Sequence, residues 1–457
     1  MAKVKKKEAL SLEDKLEQAL VSVDEQPFDV PDNWCWVRLG CLGYTNIGLT
    51  YKPSSTCSDG TIVLRSSNIQ NGRMDYDDIV MVDMDIPESK MSKKGDILIC
   101  ARNGSKSLVG KTAIVDRDGM SYGAFMAIFR SDFNPLIYYF LNSHYFRNLI
   151  DNDVNTTTIN QVTQAILKEL AFPLPPLSEQ KRIVEQIESL FFKLDEVKDK
   201  TLEVLESYEI RRAAILHKAL IGELTIDWRR KNKVDDLWEK IQLGDITDIK
   251  SSKRVYKDDY VEEGIPFFRS SEIVDLYDTG VTEPIYFITE EKYEEIKREK
   301  GVPEEGNLLV TSVGTIGKTW IVDDRKFYYK DGNLTEVVKC NKLDMKFLQM
   351  FIMSEEFKNQ VVDTVSGSAY NALTIVKFKK IIINLPSIEE QEEIVRIVEA
   401  LLKKEQKAKE SIEQVLASVD MMKKSILAKA FRGELGTNNP DEESAVELLK
   451  QILSENI

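Results

Sequence analysis

The sequence lacks most of what would place a protein in a membrane, a secretory pathway or an enzyme class. No uninterrupted apolar run approaches the ~18 residues a membrane helix needs, and the N-terminus MAKVKKKEALSLEDK has no apolar core of a secretory signal. Cysteine is scarce: five in 457 residues (Cys35, Cys41, Cys57, Cys100, Cys340), odd in number and with no Cys-x-x-Cys pair. That excludes a disulfide scaffold and a thiolate zinc site, and it suits reduced thiols in the cytoplasm. Histidine is scarcer still: the two, His144 and His217, have no neighbouring ligand set. There is no glycine-rich cofactor loop, no Ser/His/Asp set and no acidic cluster arranged for a metal, so the chain reads as catalytically empty. Positive charge is also short, with a formal net charge of −14. A protein that coats nucleic acid is thereby excluded, and any DNA contact must be local or shared with partners.

Two stretches look chemical and fail on spacing. In GSKSLVGKT, from Gly104, five residues separate the glycines where a phosphate loop has four, and a strand follows where a helix N-terminus is required. NPLIY, from Asn134, lacks the second proline of the Asn-Pro-Pro-Tyr motif found in enzymes that methylate DNA amino groups.

What the chain has in abundance is self-similarity. Residues 173–224 and 384–435 form two copies of one stretch at a constant offset of 211: Pro175 answers Pro386, Gln180 answers Gln391, and Gly222-Glu223-Leu224 answers Gly433-Glu434-Leu435. Apolar residues alternate at spacings of four and three, the pattern of a coiled-coil seam. In the first copy the seam is Ile183, Ile187, Leu190, Leu194, Val197, Thr201, Val204, Tyr208, Arg211 and Ile215. In the second it is Ile394, Val398, Leu401, Glu405, Ala408, Ile412, Val415, Val419, Met422 and Ile426. Thr201, Arg211 and Glu405 interrupt it. Each copy predicts a helix of about 40 residues and ~60 Å, started by prolines with Ser178 as cap, whose economical partner is the other copy.

The regions before these helices echo each other too. WCWVRLG from Trp34 matches WEKIQLG from Trp238, and LRSSNI from Leu64 matches FRSSEI from Phe268, both at an offset of 204. Short strands are expected at 61–64, 96–100, 112–115, 266–268, 307–310 and 319–322, with one helix per domain at 136–150 and 345–362. The expected class is α+β: two tandem α/β domains with mixed sheets, each followed by a long helix, the two helices forming an antiparallel coiled coil with pseudo-twofold symmetry. The expected boundaries are an N-terminal amphipathic helix over 1–23, a first domain over 24–176, a central helix over 177–224, a second domain over 225–386, a distal helix over 387–435, and a tail with a short helix over 436–457.

Base and phosphate contacts need Arg, Lys, Asn, Gln and small hydroxyls on protruding loops. Three loops per domain qualify. In the first domain the candidates are Tyr51 and Lys52; Arg102, Asn103, Ser105, Lys106 and Lys111; and Thr157 and Asn160. Residues 93–111 hold Lys93, Lys94, Arg102, Lys106 and Lys111 against Asp96 alone. In the second domain they are Lys253, Arg254, Tyr256 and Lys257; Thr311, Ser312, Thr315 and Lys318; and Ser368, Tyr370 and Asn371. The repeated Arg65, Ser66 and Asn68, with Arg269, Ser270 and Ser271, suit a framework or phosphate role better than sequence discrimination.

Tandem variable domains, each closed by a PLPPLSEQ-like stretch and a long helix ending in Gly-Glu-Leu, resemble the specificity subunit of Type I restriction-modification enzymes. The VPDNWCWVRLG opening from Val30 is also similar to that family's start, whereas NLPS from Asn384 keeps only one of the prolines. The resemblance covers nearly the whole chain. It implies two target recognition domains, each reading one half of a bipartite DNA site, with the helices setting the gap. Modification subunits, expected to number two, would dock on spacer and domains, and restriction and motor subunits would join them. S-adenosylmethionine, ATP and Mg would sit on those partners, with no cofactor on this chain. The alternative reading is a non-catalytic coiled-coil scaffold whose globular domains bind protein.

Overall fold

The computed structural model describes residues 11–153, 161–234, 237–365 and 372–455. The chain divides into two compact units, residues 1–200 with 415–457 and residues 201–414.

In the first unit, Cys35–Arg38 pairs antiparallel with Ala171–Leu174, tying the start of the domain to its end. Between them lies an antiparallel sheet ordered Tyr44–Ile47, Met126–Arg130, Ile97–Cys100, Thr112–Ile114. A second sheet is ordered Ser121–Tyr122, Thr61–Leu64, Met81–Val82, Thr56–Cys57, and its first pair is parallel. The second unit repeats this frame. Glu239–Gln242 pairs with Ile382–Leu385, and its two sheets have the same order and the same single parallel pair, Ile265–Phe268 with Tyr328–Tyr329. The mixed α+β class and the six expected strands stand.

The expected single helices do not. Asn134–Leu141 and His144–Asp153 are separate helices, as are Met345–Met353 and Glu355–Val365. Ser143 and Ser354 sit at the breaks, and each hydroxyl accepts the N–H of the residue three on, Phe146 and Phe357. A serine offering the backbone an alternative partner ends one helix and starts the next. Two further helices, Ser270–Thr279 and Glu290–Glu299, occupy the second unit where the first has a 3₁₀ turn and a hairpin at Ile69–Gln70 and Arg73–Met74. The N-terminal helix is shorter than 1–23: it runs Leu12–Ala19 behind a Ser11/Asp14 capping box, and residues 1–10 lie outside the described residues.

The long helices run Leu177–Leu220 and Ile388–Phe431, 44 residues each. The first begins at Leu177, so Ser178 lies in its first turn and not at its cap. In the second copy Ser387 stands at the position of Pro176 and accepts the Glu390 N–H at 3.3 Å, so a side-chain cap stands where the first copy has a proline. Each helix ends on a left-handed glycine, Gly222 at φ 76° and Gly433 at φ 72°. A Cβ there would press Trp238 and Arg229 in one unit and Pro31 in the other, so small size and positive φ are both required.

Contacts inside the second unit pair rising numbers with falling ones, Tyr208 with Gln406 and Arg211 with Glu405, so the helices pack antiparallel. The seam is buried against the domain cores at Ile183, Ile187, Ile394 and Val398, and also at Tyr208 and Val419 farther along the helices. Elsewhere the strict four-three pattern fails: Val197, Val204, Val415 and Met422 are exposed. Toward the C-terminal ends Leu216 and Leu427 are buried in place of Ile215 and Ile426 as seam residues. A straight helix drifts ~20° per heptad from a 3.5-residue repeat, which moves the buried stripe by one position over such a length.

A buried carboxylate anchors each helix start. Glu179, 0% exposed, accepts the Trp34 indole N–H at 2.7 Å, Asn438 at 2.9 Å and Thr437 at 3.1 Å. Glu390 accepts the Trp238 indole at 3.2 Å, with Thr225 and Arg229 at 2.6 Å. The residues following one Gly-Glu-Leu thus complete the start of the other long helix in both units. Among the described residues no helix is long and apolar enough to cross a membrane, and no cluster of His, Cys, Asp or Glu could hold a metal ion.

Candidate nucleic-acid interface

In the first unit the sheets bring distant loops to one hollow of about 1010 Å³. Tyr51, Arg65, Ser66, Arg102 and Asn103 line it, together with residues that loop chemistry did not nominate, Asp78 and the Gly123–Met126 turn among them. Asn103 donates to the Ser66 hydroxyl at 3.2 Å, joining two of the nominated loops. Arg102 forms a backbone bridge with Gln161, which brings Gln161 to the same edge. Thr157 and Asn160 themselves lie outside the described residues.

Arg65 is tied to Asp78 at 2.8 Å, and its backbone N–H is capped by Asn68 at 2.8 Å. Asn68 is wholly buried and also donates to the Asp75 and Asp78 carbonyls at 2.9 Å, so it belongs to the frame and cannot reach a ligand. Arg269 repeats the arrangement with Glu272, 3.1 Å away, and its guanidinium lies 4.5 Å from the Tyr286 ring. In both arginines the Nε is buried without a hydrogen-bond acceptor. These contacts tie both arginines to carboxylates of their own domains.

The basic stretch 93–111 is not one patch. Lys93 and Lys94 line a different hollow, with Tyr44, Arg130 and the tail helix Ala445–Glu455. Asp96 is buried against Arg130, whose Nε lies 2.6 Å from its carboxylate, so it does not offset the lysines. Lys106 and Lys111 donate to the backbone carbonyls of Asp151 and Ile69 at 3.2 and 3.1 Å. Ser105 bonds Ser107 at 2.9 Å, and Lys52 is exposed.

In the second unit the nominated cations are mostly paired. Lys253 meets Glu299 and Glu295, which raise its pKa, and Arg254 lies 2.9 Å from Asp331, which does the same. Lys318 is 2.6 Å from Asp278 and lies over the Tyr277 ring. Thr311 and Ser312 are buried, Ser312 sharing a 2.6 Å hydrogen bond with Thr335, so both are frame residues. Tyr256, Lys257 and Thr315 are exposed. Ser270 donates to the Asn333 carbonyl at 3.4 Å and Ser271 to Glu272 at 2.8 Å. Ser368, Tyr370 and Asn371 lie outside the described residues.

The residue most plainly missed is Phe125. It is 61% exposed, and Arg102 holds its guanidinium 5.5 Å from the ring. Its carbonyl accepts the N–H groups of Ala101 and Arg102 at 2.9 and 3.0 Å, so the ring stands on a fixed backbone. No periodicity flags it, because it sits in a turn and becomes notable only by its surroundings. Neither lookalike motif acquires chemistry. A strand, Thr112–Ile114, follows the glycine-rich loop, and the Asn134 amide is buried on the Gly95 and Phe129 carbonyls.

Comparison with known proteins agrees with this geometry. The family described as "Type I restriction modification DNA specificity domain" matches twice, over residues 31–207 and 235–416. The Type I restriction enzyme EcoKI specificity subunit of Escherichia coli (strain K12) is 29% identical over 455 residues, covering 93% of this chain and 96% of that one. The StySPI specificity subunit of Salmonella potsdam is 28% identical over the same shares. Among solved structures, the HsdS subunit from Thermoanaerobacter tengcongensis shares the fold with a TM-score of 0.61 at 20% identity, covering 90% of this chain and all of that one. A chain from a structure of a type I R-M system gives 0.65 at 20% identity, with 90% of this chain covered. These matches do not favour the protein-binding scaffold. With two copies of the domain on a frame that carries variable loops, the chain belongs to the Type I restriction-modification DNA specificity family, and its part is sequence recognition, not catalysis.

Proposed function

We propose that each domain reads one half-site of a bipartite duplex target and that the paired helices set the distance between the halves. Its binding partners are DNA and other subunits of a restriction-modification complex. The finer reading assigns two modification subunits to the helices and domains, with S-adenosylmethionine, ATP and Mg carried by modification and restriction subunits in the cytoplasm. The observation that carries it is the pair of long helices, 44 residues each, following two copies of one domain frame. Equal helices with an unvaried offset suit a ruler, and partner subunits can supply phosphate contacts that a chain of net charge −14 does not. Methylome sequencing of cells carrying the chain with its modification subunit tests this directly. The expected result is methylation at a motif of two fixed halves around an unspecified gap. A continuous motif, or none, would overturn it.

A further inference from the structure

Backbone hydrogen bonds allow the two domains to be matched position by position. In the first, Ala101 N–H donates to the Phe125 carbonyl at 2.9 Å, Val162 N–H to Ala101 O at 2.7 Å, and Arg102 bridges Gln161. In the second, Ser312 N–H donates to the Asn333 carbonyl at 2.9 Å, Leu373 N–H to Ser312 O at 2.9 Å, and Val313 bridges Ala372. Arg102 therefore corresponds to Val313, and Phe125 to Asn333. The surrounding frame is preserved: Gly123 N–H meets Leu64 O at 2.9 Å where Lys330 N–H meets Phe268 O at 2.8 Å. The side chains at the two matched positions are not. One domain carries a cation and a phenyl ring, the other a branched aliphatic and an amide.

The first pair is also chemically available. Arg65, in the same hollow, is tied to Asp78, whereas Arg102 makes no ion pair among the described residues and leans on an aromatic face. A ring 61% exposed on a fixed backbone, outside the apolar core clusters, is available to a ligand.

We infer that Arg102 with Phe125, and Val313 with Asn333, are specificity-determining pairs through which the two domains read different base-pair edges. The inference rests on the DNA-reading function proposed above. A guanidinium offers paired donors to guanine O6 and N7, and a phenyl or valine side chain packs on the thymine methyl. A carboxamide pairs with adenine N6 and N7. The first domain then reads guanine and thymine at this place, and the second reads adenine and thymine.

The test uses the full chain purified with its modification subunits and a randomised duplex library, with bound DNA sequenced. Arg102→Ala should lower discrimination for guanine at one position of one half-site roughly ten- to a hundredfold and leave the other half unchanged. Asn333→Ala should do the same for adenine in the other half. A DNA-side arm needs no folding control: replacing the contacted thymine by deoxyuracil should weaken the unsubstituted complex about fourfold and the Phe125→Ala complex not at all. A motif unchanged by all the variants, or affinity lost evenly over every sequence with the motif intact, would overturn the inference. Absence of any motif with the unsubstituted complex would instead reject the DNA-reading function beneath it.

Discussion

Arg211 and Glu405, the two charged residues that interrupt opposite apolar seams, meet each other. The Arg211 Nε lies 2.7 Å from the Glu405 carboxylate, beside the Tyr208 to Gln406 hydrogen bond of 3.0 Å. What reads as two separate flaws is one polar rung, and a polar rung fixes register because any slip would separate the pair.

Its energetic worth is modest. The side chains are 35% and 22% exposed, so solvent screens them, and a double-mutant cycle with Arg211→Leu and Glu405→Leu should give a coupling of about 0.5–1 kcal/mol. The exchange Arg211→Glu with Glu405→Arg should restore most of the thermal midpoint that either reversal alone removes. Additive losses would show that the rung does not couple the helices.

The Glu390 anchor should matter more. Its carboxylate is 1% exposed and accepts from Trp238, Thr225 and Arg229. Glu390→Leu should destabilise the second unit by about 3 kcal/mol, because buried donors lose their charged acceptor. Glu390→Gln, which keeps one acceptor oxygen, should cost less. Near-ultraviolet circular dichroism of the tryptophans during thermal unfolding would rank the two.

Acid should loosen the tail. Arg182 holds Glu442 in a two-pronged pair at 2.8 and 2.9 Å, and that hydrogen bonding keeps the Glu442 carboxyl below its ordinary pKa. A carboxyl whose folded value is depressed stabilises the fold above its unfolded value, and the benefit disappears as pH falls through the folded value. The difference in thermal midpoint between the unsubstituted chain and Glu442→Gln should therefore be present at neutral pH and shrink through the acid range. A difference that is flat with pH would remove the ion pair as its cause.

Inserting one heptad into residues 193–203 alone should mismatch the seams and lower stability. Equal insertions in both helices should lengthen the ruler by ~10 Å, which is about three base pairs of duplex, while the half-sites stay the same. Methylation mapping of the doubly extended chain would show an unaltered gap if the helices are not the ruler.

Much of the architecture was legible because it is periodic. A repeat held at a constant offset of 211 identifies two equal helices without any coordinate, and strands such as Ile97–Cys100 and Leu308–Thr311 announce themselves as short apolar runs. The helix breaks at Ser143 and Ser354 were not read, because a hydroxyl can face solvent or cap, and only its neighbours decide. Asn68, Thr311 and Ser312 look like ligand-binding groups in a loop and prove to be buried frame. Polarity in sequence does not say which way a side chain turns.

The sequence alone determined the duplication, the two long helices, the domain class and the family, since each depends on residue order and spacing. Tertiary structure decided what those residues do to one another. It paired Arg211 with Glu405, placed Glu179 and Glu390 in the interior, paired Lys253 and Arg254 with carboxylates, and left Arg102 with Phe125 at the edge of a hollow. The physical reason is that hydrogen bonds, ion pairs and burial join residues tens to hundreds of positions apart, and no local pattern encodes such a meeting.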